Sequence, residues 1–114
     1  MWKIISLPHF KHSLKPLVKK FKDLEGAVIA ELENFNPLYH TTIEQDIYKL
    51  RLSTKSLKRG KSGSFRLYVY VMENDNVIVP IIIYFKSEQA NLTIQELRDH
   101  INTINQELKQ LQPT

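Results

Sequence analysis

One run of the chain carries a β-strand pattern and a single sign of charge. From Ile47 to Met72 there are seven basic residues, Lys49, Arg51, Lys55, Lys58, Arg59, Lys61 and Arg66, and no acidic one. Ile47, Lys49 and Arg51 alternate with Tyr48, Leu50 and Leu52, so in an extended chain they occupy opposite faces. Phe65, Leu67, Val69 and Val71 alternate in the same way with Arg66, Tyr68, Tyr70 and Met72. A sheet built from this run has one apolar face and one cationic face. Cations held on a rigid sheet create a field, and that field selects an anionic partner.

A third strand follows, Val77 to Phe85, apolar on both faces and therefore expected to be covered on both. Glu73-Asn74-Asp75-Asn76 reads as the hairpin loop before it, because Asn and Asp tolerate left-handed backbone. Pro80 lies inside the third strand and cannot donate a ladder hydrogen bond, which predicts an edge position or a bulge there.

Upstream, Lys3 to Leu7 reads as a short strand ended by Pro8. Phe10, Leu14, Leu17 or Val18, and Phe21 recur at helical spacing, and a helix is predicted from Ser13 to Lys22. Ser13 as N-cap would place Pro16 in the first turn, where its missing N–H costs nothing. Asp23 can cap a second helix whose buried stripe is Leu24, Val28, Leu32 and Phe35, stopped at Asn36-Pro37. The two helices read as an antiparallel hairpin, and Leu38 to Asp46 as a loop.

The last helix has clear punctuation. Thr93 and Glu96 fit a capping box, and Leu92 and Leu97 sit where a hydrophobic staple pairs. Ile94, Leu97, Ile101, Ile104, Leu108 and Leu111 form a narrow seam. The element order is β-α-α-β-β-β-α. This is an α+β fold in which a helical hairpin and a C-terminal helix pack on a small, mainly antiparallel sheet. At 114 residues the chain suits one domain, 1–114.

Several function classes drop out. No apolar run is long enough to span a bilayer, and the start has no signal-peptide core, so no membrane partner is expected. With no cysteine there is no disulfide framework and no thiol chemistry, and the chain reads as cytoplasmic. Gly60-Lys61-Ser62 lacks the upstream glycine of a phosphate-binding loop, because Lys55 stands there, and a strand rather than a helix follows. His9, His12, His40 and His100 are scattered and give no metal site, and His9 and His12, near one another at the mouth of a helix, read as surface residues. Asn91-Leu92-Thr93 fits a glycosylation pattern, but the helix cap accounts for it. The net charge is +4, with a second basic cluster at Lys3, Lys11, Lys15, Lys19, Lys20 and Lys22 that reads as a solvated helix face.

Three segments in order, Ile47-Tyr-Lys-Leu-Arg-Leu52, Gly60-Lys-Ser-Gly-Ser-Phe-Arg-Leu-Tyr-Val-Tyr-Val71 and Ile82-Ile-Tyr-Phe-Lys-Ser-Glu88, resemble the RelE-like toxins of bacterial type II toxin–antitoxin pairs. The closing run from Phe85 to Thr93 looks most like the HigB branch. The resemblance spans residues 1–104 and includes the element order. It implies a ribosome-dependent mRNA endonuclease that cuts in the ribosomal A site without metal or cofactor and is silenced by a cognate antitoxin. In that chemistry a ribose 2′-OH attacks the adjacent phosphate, leaving a 2′,3′-cyclic phosphate and a 5′-OH.

Carried over residue by residue, Lys49 is implied in proton transfer or charge stabilisation and Arg51 in phosphate binding. Arg66 is implied in transition-state stabilisation. Lys86 is the fourth implied catalytic cation and lies beside the slot of a further family arginine, which Ser87 occupies here. Lys55, Lys58, Arg59 and Lys61 are implied to grip RNA. The RelE branch has a tyrosine near its end, and this chain has none after Tyr84, which makes Tyr84 a substitute candidate. A ParE-like gyrase poison on the same scaffold, or a degenerate member that only binds antitoxin or nucleic acid, are the alternatives. Each cation also has a plain structural reading, as solvent face or, for Arg66, as the partner of a carboxylate.

Overall fold

The computed structural model describes residues 2–40, 42–55 and 64–111. They form β1 (Lys3–Ile4), α1 (Pro8–Lys20), α2 (Leu24–Glu33), β2 (Thr42–Glu44), β3 (Ile47–Leu52), β4 (Phe65–Met72), β5 (Val77–Phe85) and α3 (Ile94–Leu111). The five strands make one mixed sheet in the order β1-β5-β4-β3-β2. β1 runs parallel to β5, and every other pair is antiparallel.

The period-two alternation of β3 and β4 divides the protein into two cores. On one face Leu50, Leu52, Phe65, Leu67, Val69 and Val71 meet Phe10 of α1 and Leu24, Val28 and Leu32 of α2. On the other face Ile47, Tyr68, Val79, Ile81 and Tyr84 meet Leu97 and Ile104 of α3. Burying each such side chain contributes about 1.5–3 kcal/mol, which is why the strands hold this register against a one-residue slip. β5 is apolar on both faces because it contributes to both cores.

Pro80 sits at a bulge. Tyr68 pairs with Ile82 and Val69 with Pro80, so Ile81 is the extra residue. On its other side β5 pairs with β1 only at Val77 and Ile78. Further along that edge α1 takes over, and the Ile83 N–H donates to Ser13 Oγ at 3.3 Å. The Glu73–Asn76 turn closes on Asn76 in the left-handed region, φ 54°, where an asparagine is tolerated.

Three expectations are corrected. α1 begins at Pro8, not at Ser13, and Pro16 lies inside it. Pro8 takes the first helical position, where its fixed φ suits the helix. The His9 N–H donates to both carboxylate oxygens of Glu107 on α3, at 3.0 and 3.1 Å, so a residue remote in sequence supplies a cap. Pro16 removes a bond to the His12 carbonyl, and both residues are exposed, so water can take that carbonyl. β1 is correspondingly shorter than the strand predicted from Lys3 to Leu7. The predicted loop from Leu38 to Asp46 contains a 3₁₀ turn, Pro37–Tyr39, and the edge strand β2.

α3 starts as predicted. The Glu96 N–H donates to Thr93 Oγ1 at 3.1 Å, and the Thr93 N–H donates to Glu96 Oε1 at 2.8 Å. Leu92 and Leu97 share one apolar cluster, as a staple requires. The seam is used from Leu97 to Leu108, while its ends, Ile94 at 50% and Leu111 at 61%, stay exposed. Among the described residues no helix is long and apolar enough to cross a membrane.

Candidate nucleic-acid site

α3 packs on one face of the sheet through Leu97 and Ile104. Ile47, Tyr70 and Ile81 of the sheet and Ile101 and Ile104 of α3 line a cleft of about 170 Å³. Lys49, Arg51 and Arg66 stand on the same face. Arg51 of β3 is directly opposite Arg66 of β4, and Arg66 is opposite Tyr84 of β5. Lys49 is one pleat along, opposite Tyr68. Lys86 follows the end of β5, held by its backbone N–H donating to the Ser64 carbonyl at 3.1 Å.

The four cations predicted from the sequence therefore converge. Lys49, Arg51, Arg66 and Lys86, with Asn91, line one cavity of about 300 Å³. Its floor is Arg66, which is only 3% exposed. Lys49 is half-buried, and Arg51, Lys86 and Asn91 form an exposed rim. Lys55 is exposed in the turn after β3 and does not line the cavity. Lys58, Arg59 and Lys61 lie outside the described residues.

Arg66 is the informative residue. Its guanidinium donates to Ser64 Oγ at 2.8 Å and to the Phe65 carbonyl at 3.4 Å. Among the described residues the ion pairs are Lys20 with Glu88 and Arg98 with Glu44, and no carboxylate pairs with Arg66. The reading of Arg66 as the partner of a carboxylate is thus not met among these residues. A buried charge without a counter-charge costs stability, and a directly opposed like charge adds to the cost. Burial, and then Arg51, hold the Arg66 pKa below its ordinary value.

Lys49 feels the same field. Burial, then Arg66, Lys86 and Arg51, lower its pKa from the usual lysine value. Each of these disfavours the charged ammonium, so Lys49 is easier to deprotonate than an ordinary surface lysine. Its Nζ stands 6.0 Å from the centre of the Tyr68 ring. Tyr68 stacks on Tyr84 with ring centres 6.4 Å apart. Burial and a side-chain hydrogen bond with Tyr84 push the Tyr68 phenol well above its ordinary pKa, so it stays neutral. The Tyr84 hydroxyl donates a long hydrogen bond, 3.5 Å, to Asn91 Oδ1.

Asn91 escaped the sequence reading because the helix cap already explained its neighbourhood. The histidines escaped it differently. His9 and His100 are not separate surface residues. Their rings meet between α1 and α3, with Nε2 of His9 2.8 Å from Nδ1 of His100. Only the packing of the two helices creates that pair. Among the described residues no three His, Asp or Glu side chains come together as a metal-ligand set.

The arrangement suits a phosphodiester. Arginines offer forked donors to phosphate oxygens, and a cation-rich pocket stabilises charge that develops in a transition state. A lysine of lowered pKa beside them can accept a proton. No family model and no curated protein matches the chain.

Proposed function

We propose that the protein is the toxin of a type II toxin–antitoxin pair with a RelE-like fold, acting in the cytoplasm as a ribosome-dependent mRNA endoribonuclease. The single observation that carries this reading is the shared cavity of Lys49, Arg51, Arg66 and Lys86, floored by a buried arginine without a carboxylate partner among the described residues. A folded core does not need such a group, whereas a phosphate-binding site does. The element order and mainly antiparallel sheet support the RelE-like assignment.

In this reading the scissile phosphate sits over Arg66 with Arg51 on its non-bridging oxygens. The 2′-OH attacks phosphorus and its proton passes to Lys49. The P–O5′ bond breaks as the P–O2′ bond forms, and Lys86 gives a proton to the departing 5′ oxygen. The products are a 2′,3′-cyclic phosphate and a 5′-OH. Arg66 contributes because its charge is fixed and desolvated before the phosphorane forms. In the absence of substrate the same cationic surface suits an acidic segment of a cognate antitoxin.

The test is induced expression in bacteria, with radiolabelled amino-acid incorporation and plasmid supercoiling followed together. Growth arrest with loss of incorporation, both abolished by Arg66→Ala, supports the nuclease. Loss of supercoiling while translation continues replaces it with the gyrase-poison reading.

A further inference from the structure

Among the described residues, the cationic cavity has one lining residue that brings no charge. Lys49, Arg51, Arg66 and Lys86 are donors, and neither arginine nor a protonated lysine has an acceptor to offer. A phosphate asks for donors only, so an amide adds little to its binding. Among the described lining side chains, the carbonyl of Asn91 is the acceptor that remains once the Lys49 amine is engaged with the attacking hydroxyl.

The amide also faces Tyr84. The Tyr84 hydroxyl reaches Asn91 Oδ1, and Tyr84 is itself fixed by burial and by its stack on Tyr68. Asn91 lies just before the Thr93–Glu96 capping box, which fixes where the chain enters α3. A carbonyl oxygen carries two lone pairs, so one remains for a ligand after Tyr84 has used the other. Asn91 is exposed, so that lone pair is reachable from solvent.

We propose that Asn91 accepts a hydrogen bond from a ribose 2′-OH next to the scissile phosphate, and thereby sets a preference for RNA over DNA. The hydroxyl in question flanks the attacking one, whose proton goes to Lys49. A hydroxyl is a donor, and deoxyribose lacks it, so a DNA strand leaves the acceptor unpaired. This inference rests on the nuclease reading of the cavity.

The experiment is fluorescence anisotropy with a short single-stranded RNA and its deoxyuridine-containing DNA counterpart, on wild type, Asn91→Leu, Tyr84→Phe and Arg66→Ala. Wild type should favour RNA by about tenfold, the factor of one neutral hydrogen bond. Asn91→Leu should bring the ratio close to one by weakening RNA alone, leaving DNA affinity unchanged. Tyr84→Phe, which loses the hydroxyl that meets both Asn91 and Tyr68, should lower the ratio part of the way. Because Asn91 is exposed, the leucine variant should fold, and its melting temperature checks this.

A ratio unchanged in Asn91→Leu overturns the inference. If Arg66→Ala still weakens both strands in that case, the phosphate-binding reading stands without it. Equal wild-type affinity for RNA and DNA overturns it as well. Binding of neither strand overturns the inference, while the nuclease reading, which requires the ribosome, is decided separately by cleavage in the translation assay.

Discussion

Arg51 and Arg66 are direct cross-strand partners on β3 and β4, one exposed and the other buried, with no carboxylate paired to the buried member among the described residues. Two like charges so placed oppose folding. In the proposed function a ligand of opposite sign occupies the space above them.

Replacing Arg66 should therefore separate stability from activity. Arg66→Met keeps the length of the stem and removes the buried charge. The variant should melt at or above the wild-type temperature, since buried charges replaced by apolar groups are commonly neutral to stabilising by about 1–4 kcal/mol. Cleavage should be lost. A drop of several degrees in melting temperature, followed by calorimetry, contradicts the assignment of Arg66 as a functional charge.

The pH–rate profile should report Lys49. Its pKa is lowered by burial, then by Arg66, Lys86 and Arg51. If it accepts the proton, the acidic limb of the profile lies below the usual lysine range. Arg51→Gln removes one repelling cation, so the ammonium becomes easier to keep and the pKa rises. The residual activity of that variant should show its acidic limb at higher pH. A limb that does not move takes the base role away from Lys49.

The His9–His100 pair should make stability fall on acidification. Burial first, and His9 second, lower the His100 pKa, while Glu96 and Asp99 raise it. Glu107 of α3 meets the same turn of α1 through the His9 N–H. A depressed histidine pKa means the unfolded chain binds the proton more readily. The contribution is whole above the ordinary value of 6.5 and is lost as pH falls from there toward the folded-state pKa. Melting curves should shift downward through that window in wild type, and the shift should flatten in His100→Gln. An equal slope in the two proteins contradicts the role of the pair.

Thr93→Ala should cost about 1 kcal/mol, the usual loss of an N-cap side chain, and lower the melting temperature by about 4 °C. Thermal denaturation by circular dichroism checks it.

What was legible in the sequence was local or periodic. The Thr93–Glu96 box is complete within four residues, and the structure keeps it. The faces of β3 and β4 follow from alternation alone, and with the hairpin order they bring Lys49, Arg51 and Arg66 together. Pro80 announced its bulge because it cannot donate. The start of α1 was not legible, because its cap comes from Glu107 on the opposite side of the chain. β2 is too short to show a period. That Arg66 is buried while Arg51 is exposed arises from tertiary packing, and no local pattern encodes that. Asn91 and the His9–His100 pair are likewise products of tertiary packing.

The most direct test of the central claim is primer extension on a reporter mRNA in a purified translation system, with and without this protein. The account predicts cuts inside the translated codons that disappear when ribosomes are omitted and when Arg66→Ala replaces wild type. Intact mRNA at saturating wild-type protein contradicts it.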